Sequence, residues 1–363
     1  MNLADLVARA IAKDSPVLGA IAVVGTAKNV GKTVTMNYLA HELSARGIPI
    51  GLVSSGRDGE TVDSFTGEPK PSVVPPLGSW VATAEGVLGE SGSLMEIADV
   101  SERPGLLGRL VLGRVREPAP LELVGPGNAR ELAGVVRALR SLGARVVLVD
   151  GALDRVAAAN PKVTDAVILA TGAAAGSSLD AIAERIEDLT WLWSRPSPSD
   201  PAVLKLAEEA IGFGRVAFID LAGAPPMPRL RLTQFHTCLG AEEEILSRAG
   251  TAQYVVVPGA VNQKFLMDAG SWPESDDFTV IASSAVNVFV SQDPGVPILT
   301  LDEMRLLAVT VNPVSYRGIS YDPKDMVEAV AAGALRGSHS RIPVFDVVSG
   351  ESSRREVAGV AVG

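Results

Sequence analysis

Lys32 and Thr33 close the run Gly25-Thr26-Ala27-Lys28-Asn29-Val30-Gly31-Lys32-Thr33. An ammonium beside a hydroxyl, behind glycines, is equipment for holding phosphate. Glycines let a short loop turn its amide groups inward toward phosphate oxygens, and a helix starting at the loop's end adds partial positive charge. In that arrangement Lys32 reaches the β- and γ-phosphates, and the Thr33 hydroxyl ligates Mg2+. The flanks agree. The apolar run from Ala20 to Val24 reads as a buried strand, and the pattern from Val34 to Arg46, stopped by Gly47, reads as a helix. The expected nucleotide contacts are Gly25, Thr26, Ala27, Lys28, Asn29, Val30, Gly31, Lys32, Thr33 and Val34. The usual spacing, Gly-x-x-x-x-Gly-Lys-Ser/Thr, is missed by one residue, because Thr26 holds the first glycine position and Gly25 precedes it.

Two carboxylates extend the chemistry. Asp150 ends the apolar run Val146-Val147-Leu148-Val149, and an acid at the end of such a strand faces the ligand crevice. It is expected to hold Mg2+ directly or through water. Asp58 follows the strand Ile48 to Val53 and is expected to hold metal or orient an attacking water, although Gly-Arg-Asp-Gly is also ordinary turn chemistry. The expected metal ligands are thus Thr33, Asp58 and Asp150. Glu60 and Lys70 read as surface or loop residues, and Asp154 with Arg155 equally as a local ion pair or as residues that couple to a partner site. His41, His236 and His339 show no metal-ligand spacing. His236 and Cys238 read as buried structural residues rather than zinc ligands. Asn312-Pro313, after an apolar strand, reads equally as a binding edge or a strand-ending turn.

A chain of 363 residues with 47% hydrophobic and 20% charged residues is globular, with room for about two domains. A net charge of −10 with no basic stripe argues against a nucleic-acid partner. The lone Cys238 forbids an internal disulfide and fits a cytoplasmic location. No uncharged apolar run reaches membrane-spanning length. Strands and helices alternate along the first half: Asn128 with Glu131 starts a helix running through Leu142, and a helix from about Ser178 to Trp193 follows the strand Ala166 to Ala170. Leu110 to Val115 and Leu121 to Val124 are expected to form a hairpin. The proline-rich segment Ser194 to Pro201 marks a boundary. The expected fold is α/β: a doubly wound, mostly parallel sheet of the P-loop NTPase type over residues 1–195, then a second, smaller α/β domain over residues 196–363.

Gly-Thr-x-x-x-Val-Gly-Lys-Thr resembles the loop of dethiobiotin synthetase, and Lys-Asn-x-Gly-Lys-Thr resembles that of the molybdopterin-guanine-dinucleotide adaptor proteins. Both belong to the P-loop class of MinD and the signal-recognition GTPases. Many of its members carry a second, signature lysine in the loop, matched here by Lys28, so the resemblance implies a catalytic role for Lys28 beside Asp58. Across the chain, Ala27-Lys28-Asn29, Asn37-Tyr38-Leu39, Asp58-Gly59-Glu60, Lys70-Pro71, Ala82-Thr83-Ala84-Glu85, Gly125-Pro126, the segment Asp150 to Arg155, Asn312-Pro313 and Pro343-Val344-Phe345-Asp346-Val347 appear in order. This series resembles the P-loop subunit of the reactivase of adenosylcobalamin-dependent lysine 5,6-aminomutase. It implies an ATP-driven factor that removes damaged cobalamin from the mutase together with a companion ATPase subunit.

The expected cofactors are ATP and Mg2+, with ATP preferred over GTP because no Asn-Lys-x-Asp guanine signature occurs. Expected partners are the nucleotide, the aminomutase and the companion ATPase subunit, with a homodimer as a further assembly; no nucleic acid or membrane is expected. Two other readings remain open. An ATP-dependent synthetase like dethiobiotin synthetase would turn over a small substrate without a partner. A nucleotide-sensing scaffold would bind without appreciable hydrolysis.

Overall fold

The computed structural model describes residues 1–13, 18–58, 72–89, 94–105, 107–152, 156–221, 228–272, 278–290, 294–315 and 318–353. Two compact units result, one formed by Met1–Ile186 with Arg305–Gly363 and the other by Glu187–Met304. In chain order the first unit begins α1 (Leu3–Lys13), β1 (Ala20–Gly25), α2 (Lys32–Ala45), β2 (Ile50–Ser54), β3 (Arg57–Asp58), β4 (Trp80–Ala84), β5 (Met95–Gly105) and β6 (Gly108–Val115). It continues with β7 (Leu123–Val124), α3 (Ala129–Ser141), β8 (Val146–Ala152), α4 (Val156–Ala159), β9 (Ala166–Gly172) and α5 (Leu179–Trp193), within which the unit boundary falls. The second unit holds α6 (Pro201–Phe213), β10 (Ala217–Asp220), β11 (Arg229–Leu232), α7 (Glu242–Leu246), β12 (Tyr254–Val257), β13 (Val261–Asn262), α8 (Gln263–Gly270), β14 (Thr279–Ser284), β15 (Val288–Phe289) and β16 (Ile298–Asp302). The chain then returns to the first unit with β17 (Leu306–Asn312), α9 (Pro323–Ser338) and β18 (Val344–Phe345).

The main sheet of the first unit has nine strands in the order β18-β17-β9-β1-β8-β2-β4-β6-β5. It is parallel from β18 through β4, with β6 and β5 added antiparallel at one edge. Buried parallel strands need both faces covered, and β1 and β9 are accordingly apolar and buried along their whole length. Alternate residues take opposite faces. Ile21, Val23, Ile50, Leu52, Val146 and Leu148 pack with Met36, Leu39 and Leu43 of α2 and with Leu3 and Val7 of α1. On the other face Gly51 leaves room for α3, since a Cβ there would sit 3.4 Å from Leu139 Cβ. The architecture is therefore mixed α/β with a large, mostly parallel sheet and helices on both faces. The Asn128 side chain accepts from the Glu131 amide at 2.9 Å, starting α3 where the sequence spacing places it.

Two expectations are corrected. The division into residues 1–195 and 196–363 fails because β17 pairs with β9 and β18 pairs with β17, so residues from Arg305 on belong to the first unit. The apolar run at 306–312 finds its hydrogen-bond partner across a whole inserted unit, which linear reading does not register. The expected hairpin of Leu110–Val115 with Leu121–Val124 does not form either. β6 pairs instead with β5 and β4, while β7 pairs with β3. Pro118 and Pro120 lack amide donors and carry the chain away from the ladder. β5 was hidden by Glu96, Asp99, Glu102 and Pro104, the composition of an exposed edge strand.

The second unit has its own five-stranded sheet, ordered β11-β10-β12-β14-β16. Val203, Ala207 and Ala210 of α6 pack on Ala217, Ile219, Val256 and Ile281. Its strands β12 and β14 run parallel with Tyr254 opposite Thr279. The same offset superimposes the sequence Ala260-Val261-Asn262 on Ala285-Val286-Asn287, yet Val261–Asn262 forms β13 whereas Ala285–Asn287 is a 3-10 turn.

Gly333 of α9 lies against α5, and a Cβ there would run into the Ala183 carbonyl. Helix propensity alone would make Gly333→Ala stabilising by up to about 1 kcal/mol. The helix contact reverses the sign: the substitution is expected to lower stability by roughly 1–3 kcal/mol, measured by urea denaturation. An unchanged or raised midpoint would refute this packing.

Candidate functional site

The loop between β1 and α2 lies at the carboxyl edge of the parallel sheet, where β1 is flanked by β8 and β9. Carboxyl edges of such sheets are where ligands bind. The loop is anchored at both ends. The Thr26 amide donates to the Ala170 carbonyl at 2.9 Å, and the Thr26 hydroxyl donates to Thr171 Oγ1 at 3.1 Å. Val30 is 1% exposed and folds under the loop as an apolar plug, so close that a Cβ at Gly25 would lie 3.1 Å from its methyl group.

Two residues of the loop take left-handed backbone, Asn29 at φ 60 and Gly31 at φ 87. Asparagine tolerates this region, and glycine occupies it without strain. Gly31 also faces Asn312, whose Cβ would stand 3.0 Å from a Cβ at that position. No side chain caps α2, and its first turn carries no acidic residue. The positive end of this helix is thus left for an anion.

Peptide geometry fixes where the amides point. Across a planar trans peptide, the carbonyl of one residue and the amide of the next point in opposite directions. The Thr26 carbonyl accepts from Arg185 Nη2 at 2.8 Å, the Asn29 carbonyl from Asn312 Nδ2 at 3.5 Å, and the Gly31 carbonyl from the Thr35 amide at 2.9 Å. The amides of Ala27, Val30 and Lys32 therefore point away from those protein donors. Backbone amides of a loop, where they turn toward one space, make an anion-binding nest.

Lys32 is the first residue of α2, and its Nζ lies 3.1 Å from Asp150 Oδ1. Their side chains are 14% and 3% exposed, and the contact is an ion pair by distance without hydrogen-bond alignment. Asp150 is level with Val23 on β1 and with Ser54 on β2, so it stands between the two strands beside the loop. Among the described residues the Ser54 hydroxyl is buried with no hydrogen-bond partner. Thr33 and Val34 are half-buried, and Lys28 is exposed on the loop. A buried carboxylate, a hydroxyl at the helix start and a second hydroxyl in register with that carboxylate are hard oxygen donors, the set that suits Mg2+. The donor set fits the metal.

The structure therefore brings Gly25 through Val34 together with Asp150. Asp58 is described only as a residue of β3, and its side chain lies outside the described part of the structure. Glu60, Lys70, Asp154 and Arg155 lie outside the described residues. Asn312, read from sequence as either turn or binding edge, packs on the loop itself. Arg185 was not anticipated, because a helical arginine carries no mark of what it touches. The pairing of His236 with Cys238 as buried residues is corrected: Cys238 is fully buried, whereas His236 is exposed with Nδ1 2.8 Å from the Gly214 carbonyl. Burial raises the Cys238 thiol above its ordinary pKa, and its Sγ donates to the Ala260 carbonyl at 3.2 Å. A groove of about 540 Å³ lined by Ile11, Ile48, Arg140 and Arg145 lies instead near the amino ends of β2 and β8, away from this chemistry.

Comparison of the chain with protein-family models, with curated proteins and with solved structures found no match. The geometry alone generates a test. Gly31→Ala forces a side chain into left-handed backbone against Asn312 and is expected to cost about 1–2 kcal/mol of stability. Chemical denaturation measures it, and a variant as stable as the parent would mean that the loop does not need this conformation.

Proposed function

We propose that residues Gly25 through Thr33 hold the phosphates of Mg-ATP and that the protein is a P-loop nucleotidase of low intrinsic turnover. The observation that carries this reading is the Lys32–Asp150 ion pair set directly behind the left-handed Gly31. A buried carboxylate stripped of its cation costs on the order of 3–5 kcal/mol, so Asp150 needs Lys32 while no ligand is present. Phosphate would give Lys32 a new anion, and Asp150 with Thr33 would then be the residues that hold Mg2+. Mg2+, when bound, neutralises charge on the phosphate oxygens. The Val30 plug keeps the loop rigid, and the amides of Ala27, Val30 and Lys32 fix the phosphate chain. In this reading Lys28 adds charge at the reacting phosphate and Asp58 orients water; both roles follow from the sequence resemblance.

That resemblance also supplies the finer reading, a reactivation factor for a cobalamin-dependent aminomutase working with a companion ATPase subunit in the cytoplasm. The chain's second α/β unit supports a protein-contacting role over a minimal synthetase. No helix among the described residues is long and apolar enough to cross a membrane.

Saturation at a hundred times Kd is expected to stabilise the protein by about 2.7 kcal/mol, a rise of a few degrees in melting temperature. Lys32→Ala should melt lower without ligand, because Asp150 loses its cation, and should lose most of the Mg-ATP shift. A full shift in that variant would remove Lys32 from the site.

Purified protein should hydrolyse ATP slowly and faster with mutase and companion subunit, and Asp58→Asn should depress hydrolysis more than binding. ATP should restore mutase that has lost its adenosyl group. Brisk turnover of a small acid or amine without any partner would favour the synthetase reading instead.

A further inference from the structure

We infer that Arg185 is a positioning residue that presets the loop for anions by holding the Thr26 peptide in one orientation; this rests on the reading of Gly25–Thr33 as a phosphate site. Arg185 lies on α5, far from the loop in sequence, with an exposed side chain whose Nη2 donates to the Thr26 carbonyl at 2.8 Å. An exposed arginine gains little from an ordinary surface contact, since its guanidinium is well solvated in water. Here it spends its donor on the first peptide of the loop, the one that determines where the Ala27 amide points.

The Thr26 residue is otherwise fixed on its amide and hydroxyl sides, by Ala170 and Thr171. Only its carbonyl remains free to rotate, and a flip of the following peptide would turn the Ala27 amide out of the nest. Arg185 blocks that flip from outside the loop. Its guanidinium stands on the side of the peptide opposite the Ala27 amide and so occupies none of the space that amide faces. Guanidinium suits this task because it remains charged and offers its donors in a rigid plane. Asn312 does the equivalent for the Asn29 carbonyl, more weakly at 3.5 Å.

The test uses full-length Arg185→Leu and Arg185→Lys. In nucleotide-free protein, hydrogen exchange of the peptide covering residues 26–33 should be several-fold faster in Arg185→Leu, with the core strands unchanged. Mg-ATP affinity by calorimetry should fall roughly tenfold in Arg185→Leu, and by a similar factor at low and high salt, while Arg185→Lys retains most of it. Exchange identical to the parent would overturn the proposal. So would an affinity loss that vanishes at high salt, since that would reduce Arg185 to a screened surface charge. Faster loop exchange in Arg185→Leu together with no Mg-ATP binding by the parent would uphold the positioning role and reject the nucleotide reading.

Discussion

Asp150 cannot be left alone. It stands 2% exposed at the end of a buried strand, where an unpaired carboxylate is costly, and the cation it faces is the Lys32 ammonium. The demand ties the end of β8 to the start of α2, and so sets the span the intervening loop must bridge. Gly31 then has to turn left-handed, Val30 has to fold beneath, and the carbonyls of Thr26 and Asn29 have to find donors elsewhere. Under the proposed nucleotide reading the pair is exchangeable: both ions keep a partner when phosphate and metal arrive together, whereas either one alone serves only one of the two ions.

The sheet order gives the loop its surroundings. β1 is central, with β8 and β2 bringing Asp150 and Ser54 on one side and β9 and β17 bringing Thr171, Thr310 and Asn312 on the other. Thr35 and Thr310 share a hydrogen bond at 2.9 Å that pins the first turn of α2 to β17. A strand that returns after an inserted unit of more than a hundred residues thus helps hold the loop. The strand that brings the chain back into the first unit is thus also a wall of the candidate site.

Much of the site was legible in sequence because its parts are local. The apolar strand, the Gly-Lys-Thr end of the loop, the helix after it and the aspartate closing Val146–Val149 are short-range patterns with direct physical meaning. What escaped was long-range or polar. β5 looked like a loop because an exposed edge strand carries charges and proline in place of alternation. β17 was placed in the second unit because periodicity reports a strand but not its neighbour. Arg185 and Asn312 act through backbone carbonyls, which any residue type supplies, so no motif announces them.

The central claim is that Lys32 and Asp150 exchange each other for phosphate and metal. The most direct measurement is ATP affinity with and without Mg2+ in the parent and in Asp150→Asn. The account predicts effects of opposite sign: metal-free ATP binds the variant at least as tightly, because Lys32 is released, while the gain from Mg2+ shrinks. An equal gain from Mg2+ in both proteins, or no ATP binding by the parent, would contradict it.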